Sequence, residues 1–203
     1  YSSWLMAILP EIEQGVLFNS LNMVQPAWAL PNTSLVQHRL ELYLCPSDPT
    51  NTGQFRFNWL GNDLTLAYSN YVGNLGRDFI LDYYDYGPLG QPDGVLYRRS
   101  NIAAKNITDG TSMTLLAGER VNDDPLCRPM WAFGATSVVT ADSSHGISEG
   151  EHEYFWGFSS HHPQGAHFVM CDGSAGFINR KIDLNVFMNL STRNGAETDV
   201  DCG

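Results

Sequence analysis

The chain has 203 residues, of which 43% are hydrophobic, 12% aromatic and 16% charged, enough apolar content to bury a core and too much for an intrinsically disordered chain. Its 22 Asp and Glu outnumber 11 Lys and Arg, for a formal charge of -11, and so acidic a surface repels phosphate backbones and anionic lipid headgroups. Nucleic acid is therefore excluded as an expected partner, and the length points to one domain over 1–203.

Near the start, Ser2 or Ser3 can cap a first helical turn. Pro10 suits the beginning of a helix, with Glu11 and Glu13 well placed against its dipole and Ile12, Val16, Leu17 and Leu21 forming its apolar stripe. The longest apolar run, Trp4 to Leu9, is far short of the ~20 residues that span a bilayer, so no direct membrane insertion by this segment is expected. Leu40, Leu42 and Leu44 alternate with Arg39, Glu41 and Tyr43, the period of a half-buried strand, which Pro46 stops. Leu64, Leu66 and Tyr68 repeat that alternation more weakly, and residues 70–92 have no period and read as loop.

Asp93-Gly94 and Asp109-Gly110 mark turns, the second before a strand over Thr114–Glu119. Residues 123–153 shift to Pro, Gly, Ser and acid and read as a surface insertion or elaborated loop. Ala166 to Cys171 reads as a strand, turned at Asp172-Gly173 into a return strand at Phe177-Ile178. Asp183 can cap a last helix with Val186, Phe187 and Leu190 on one side, stopped by Asn194-Gly195. Cys45, Cys127, Cys171 and Cys202 allow three disulfide pairings, and none lies in a C-x-x-C arrangement. The expectation is an oxidised, exported protein.

Six short segments, in order, resemble the bacterial prepilin-like family of pseudopilin type with the H-x9-DG signature. They are Tyr1-Ser2-Ser3-Trp4 through Gln14, Leu44-Cys45-Pro46-Ser47-Asp48, Tyr68-Ser69-Asn70-Tyr71-Val72-Gly73-Asn74, Ile107-Thr108-Asp109-Gly110-Thr111-Ser112, His162 with Asp172-Gly173, and Thr192-Arg193-Asn194-Gly195-Ala196-Glu197. The last departs from the family's Gly-Gly-Glu pattern at Ala196. The resemblance implies an α+β, pilin-like fold, an N-terminal helix packed on an antiparallel β-sheet with long loops, and an extracytoplasmic bacterial location. Because such proteins carry a leader and a long apolar helix, the sequence is similar to their globular part.

The chemistry legible in the chain favours structure over turnover. If Ala166–Cys171 is extended at about 3.3 Å per residue, its ends lie roughly 20 Å apart, so His162 and Asp172 act separately. Asp172-Gly173 then serves as turn chemistry and His162-Pro163 fixes the strand entry. Neither a G-x-S-x-G elbow nor a phosphate-binding glycine loop occurs. His145, His152, His161, His162 and His167 crowd beside Glu149, Glu151 and Glu153, but at no metal-ligand spacing, and read as solvated, with no metal assigned to them. Loop carboxylates, with Glu197, Asp199 and Asp201 as a second acidic group, are compatible with a structural calcium ion, although no EF-hand spacing occurs.

Exposed aromatic rings at Trp28, Trp59, Tyr83, Tyr84 and Tyr86 offer a carbohydrate-binding alternative, and Tyr83, Tyr84 and Tyr86 are the candidate contact surface. The expectation is a non-enzymatic structural subunit without organic cofactor, partnered by copies of itself or by other subunits of an assembly. The alternative is a secreted carbohydrate- or calcium-binding module.

Overall fold

The computed structural model describes residues 3–27, 29–50, 53–59, 61–77, 91–122, 128–134, 140–150 and 156–195. The architecture is α+β, mostly sheet with few and short helices. In chain order come α1 (Trp4–Ala7), α2 (Gly15–Ser20), β1 (Gln54–Trp59), β2 (Asn62–Ala67), β3 (Tyr71–Gly76) and β4 (Leu115–Glu119). Then follow β5 (Thr140–Asp142), β6 (Ile147–Glu149), β7 (Phe158–Ser160), β8 (Gly165–Met170), β9 (Ala175–Asn179) and α3 (Leu184–Leu190). No helix among the described residues is long and apolar enough to cross a membrane.

The N-terminal region is not one helix. Ser3 caps α1, its Oγ accepting from the Met6 amide at 3.1 Å and donating to the Trp131 carbonyl. A 3₁₀ turn over Leu9–Ile12 follows, and Glu13 at φ 62 breaks the chain before α2. That break resets the phase of the expected apolar stripe. Leu17 and Leu21 are buried, whereas Val16 is 85% exposed.

The Leu40–Leu44 segment is a 3₁₀ turn over Glu41–Tyr43 rather than a strand. Leu40, Tyr43 and Leu44 are buried and Leu42 faces solvent, a spacing of three and four that suits a helical turn.

These short helices, the β1–β2 hairpin and Met130–Phe133 share one apolar cluster, in which Leu9 and Trp131 are fully buried. A second cluster lies on the five-stranded sheet, ordered β5-β3-β4-β8-β9. Phe187 of α3 packs edge-on against Phe158 and Phe168, at 5.9 and 5.5 Å between ring centroids. The helix on this sheet therefore comes from the C-terminal end. The sheet is mixed, because β5 runs parallel to β3.

Two described pieces of the stretch expected as surface insertion belong to the interior. Met130–Phe133 are buried and β5 forms a sheet edge. Arg120, itself buried, is held by carbonyls of this stretch and of the residues just after it. Its Nε donates to Gly157 at 2.9 Å and its Nη2 to Thr140 at 2.8 Å and Trp156 at 2.5 Å. An apolar-poor composition thus hides backbone that a buried cation requires.

Candidate functional site

The Cys45-Pro46-Ser47-Asp48 turn closes with the Asp48 amide donating to the Cys45 carbonyl at 3.1 Å. Asn70, buried at the entrance to β3, fastens this turn to the sheet. Its Oδ1 accepts from the Cys45 amide at 2.8 Å, while its Nδ2 donates to Asp48 Oδ2 at 2.5 Å and to the Arg120 carbonyl at 3.2 Å. Asp48 is buried too, and its Oδ1 accepts from the Thr50 amide and hydroxyl at 2.8 and 2.6 Å.

Glu119 ends β4 and is 3% exposed. One carboxylate oxygen lies 3.2 Å from His162 Nε2, and the other accepts from the His167 amide at 2.7 Å. Cys45 Sγ lies 3.4 Å from the same Nε2 of His162. His167 Nδ1 is 3.5 Å from Glu119 Oε2, and His161 Nε2 is 3.7 Å from Asp48 Oδ1. Three histidines that read as solvated thus converge on two buried carboxylates. His162, with its side chain 21% exposed, faces this cluster rather than only steering the chain into β8.

Burial pushes the Cys45 thiol pKa up, and the charges of Glu119 and Asp48, with a hydrogen bond to Glu119, push it the same way against the Ser47 amide. Tyr71, register partner of Glu119, is pushed up to about 12 by burial, with Glu119 and Cys45 adding to the shift. Thiol and carboxylate both address Nε2 of His162. A nucleophile–base–orienter relay needs the acid on the opposite ring nitrogen, and a thiol held protonated is a poor nucleophile. The pocket beside Cys45, Asp48, Asn70, Glu119 and His161 has room for about one water molecule, far below the ~300 Å³ at which small-molecule sites begin. Its size suits an ion or water rather than an organic substrate.

Asp172-Gly173 sits at the far end of β8 from His162. Asp172 Oδ1 accepts from the Ser174 amide and hydroxyl at 2.8 and 2.6 Å, and Gly173 has φ 87. The Asp172 amide donates to the Thr111 carbonyl at 3.0 Å. Asp109 Oδ2 accepts from Thr192 Oγ1 at 3.1 Å and from the Gly195 amide at 2.7 Å, and Gly110 has φ 100. Both Asp-Gly pairs thus shape backbone turns, and Asp109 anchors the C-terminal segment. Pro163 lies in the turn between His162 and Gln164, whose φ is 76.

Glu149, one of the calcium candidates, pairs with Arg180 at 2.6 Å. Glu151, His152, Glu153, Glu197, Asp199, Asp201, Trp28, Tyr83, Tyr84, Tyr86, Cys127 and Cys202 lie outside the described residues.

The reading of single residues missed Cys45, Asp48, Asn70 and Glu119, although the first three stand in segments that carry the family resemblance. Glu119 had one local signal, a carboxylate at the end of an otherwise apolar strand.

The segments that supply this cluster belong to a shared pattern. Residues 1–185 match the model of a family described as a protein of unknown function, DUF1559. The chain belongs to that family, one of bacterial pilin-like proteins. No curated protein and no solved structure matches it.

Proposed function

We propose that the protein is a structural subunit of pseudopilin type that acts by contact, without turnover, in an extracytoplasmic filament, secretion apparatus or larger complex of a bacterium. Family membership over residues 1–185 carries this reading. In it, the α+β body is the globular part of a pilin-like molecule, partnered by copies of itself or by other subunits.

The outer face of the β8–β9 hairpin supports a contact role. Alternation along β8 turns His167 and Val169 outward, and Val169 is 36% exposed. Phe177, the register partner of His167, is 46% exposed on β9, the edge of the sheet. An edge strand with apolar outward residues favours association with another chain.

The test is cross-linking and native mass spectrometry of the protein from its own cells, with Phe177→Glu and Val169→Asp variants alongside. A stoichiometric assembly lost in variants of unchanged melting temperature is the expected result. A wild-type protein that remains a lone monomer, or that converts a substrate, overturns the reading.

A further inference from the structure

We propose that Cys45, Glu119 and His162 form a binding site for a zinc-class divalent transition-metal ion, with Sγ, a carboxylate oxygen and Nε2 as ligands. The inference stands on geometry and does not depend on the pseudopilin reading. The three ligand atoms lie within 4.8 Å of one another. For bonds of about 2.0 Å to nitrogen and oxygen and 2.3 Å to sulfur, tetrahedral edges come to about 3.3 Å for N to O and 3.5 Å for N to S. The observed separations are 3.2 Å and 3.4 Å. An ion beside Nε2 therefore meets both edges with little movement of the imidazole, and the thiol and carboxylate, within 4.8 Å of each other, close toward their own edge of about 3.5 Å on binding.

Charge balance agrees. A thiolate and a carboxylate carry two negative charges, His162 binds as the neutral ring, and a divalent ion cancels them in a place where isolated charge is costly. On binding, the ion takes the sulfur lone pair and the thiol proton leaves to solvent, with no change of oxidation state. Thiolate and imidazole together select the zinc class over calcium or magnesium.

The supporting shell is already built. The Glu119 carboxylate is held by the His167 amide at 2.7 Å, the Cys45 amide donates to Asn70 at 2.8 Å, and the His162 amide donates to Ser160 Oγ at 3.0 Å. Such contacts fix ligand orientation before the metal arrives. The fourth position is left to solvent from the adjoining pocket.

The test uses the full chain, reduced, stripped with chelator and titrated with Co²⁺ and then Zn²⁺. One equivalent of Co²⁺ is expected to give a thiolate-to-metal charge-transfer band, which Zn²⁺ abolishes and excess Ca²⁺ does not. Cys45→Ser removes the band, Glu119→Gln and His162→Gln weaken binding by about tenfold or more, and His145→Gln leaves it unchanged. Independently of any variant, Zn²⁺ is expected to protect Cys45 from alkylation while Cys171 reacts as before. Folded wild-type protein that gives no thiolate band, a band that survives Cys45→Ser, displacement by Ca²⁺, or unprotected Cys45 overturns the proposal.

Discussion

Cys45 Sγ lies 3.4 Å from His162 Nε2 across 117 residues of chain. This contact ties the turn after Tyr43 to the entrance of the β8–β9 hairpin. Asn70 holds that turn against the end of β4, because its one amide addresses Cys45, Asp48 and Arg120.

Asn70→Ala is accordingly expected to destabilise the protein by about 3 kcal/mol, since each buried partner left unsatisfied costs roughly 1–3 kcal/mol. Urea unfolding at neutral pH measures it. A loss below 1 kcal/mol, on the order of a surface change, contradicts the assigned role.

Gly94 lies against the β3 backbone, where an added Cβ would come within 2.3 Å of the Leu75 carbonyl carbon and 2.4 Å of the Gly76 nitrogen. Backbone cannot yield as a side chain can. Gly94→Ala is expected to cost about 2–3 kcal/mol by overpacking, read as a lower thermal midpoint. Gly15→Ala, with open space around it, is expected to be neutral or mildly stabilising.

Burial raises the Asp142 carboxyl pKa, against its hydrogen bonds from Ser144 and the charges of His145 and Arg120. The folded state therefore holds that proton more tightly than the unfolded chain. The resulting stability is present at acid pH and is lost as pH rises from the ordinary aspartate range through the raised value. Asp142→Asn keeps an acceptor for Ser144 and removes the titration. Its stability relative to wild type should improve on going from acid to neutral pH, as thermal melts across that range will show; a constant difference contradicts the assignment.

Gly173 has φ 87 with open space around its Cα. Gly173→Ala should therefore cost only the left-handed strain, about 1–2 kcal/mol. Because the turn lies at the other end of β8 from His162, amide and imidazole NMR shifts at His162 and Glu119 are expected to stay put. Movement there would join His162 and the Asp172-Gly173 turn into one site.

How much of this was legible in the sequence follows from the range of each interaction. The β8–β9 hairpin was, because alternation and an Asp-Gly turn are local and agree with each other; its register pairs Gly165 with Asn179 through Val169 with Ala175. The Asp183 cap was legible for the same reason, its carboxylate accepting from the amides of Asn185 and Val186. Leu40–Leu44 misled because alternation and a 3₁₀ turn both bury Leu40 and Leu44, and only the middle residues decide between them: Leu42 faces solvent, and Tyr43 is buried with its hydroxyl donating to the Leu5 carbonyl at 2.7 Å. The Cys45, Glu119 and His162 group was not legible, since its members come from three distant segments that only the sheet brings together.

The reach of that group has a consequence for how the molecule is made. At about 5–20 residues per second, Cys45 leaves the ribosome roughly 6–23 s before His162, 117 positions later. Through that interval the sulfur lacks the imidazole that later faces it, and Cys127 is the one other cysteine synthesised meanwhile. The yield of correctly closed product should therefore track how reducing the surroundings are while the nascent chain is still incomplete.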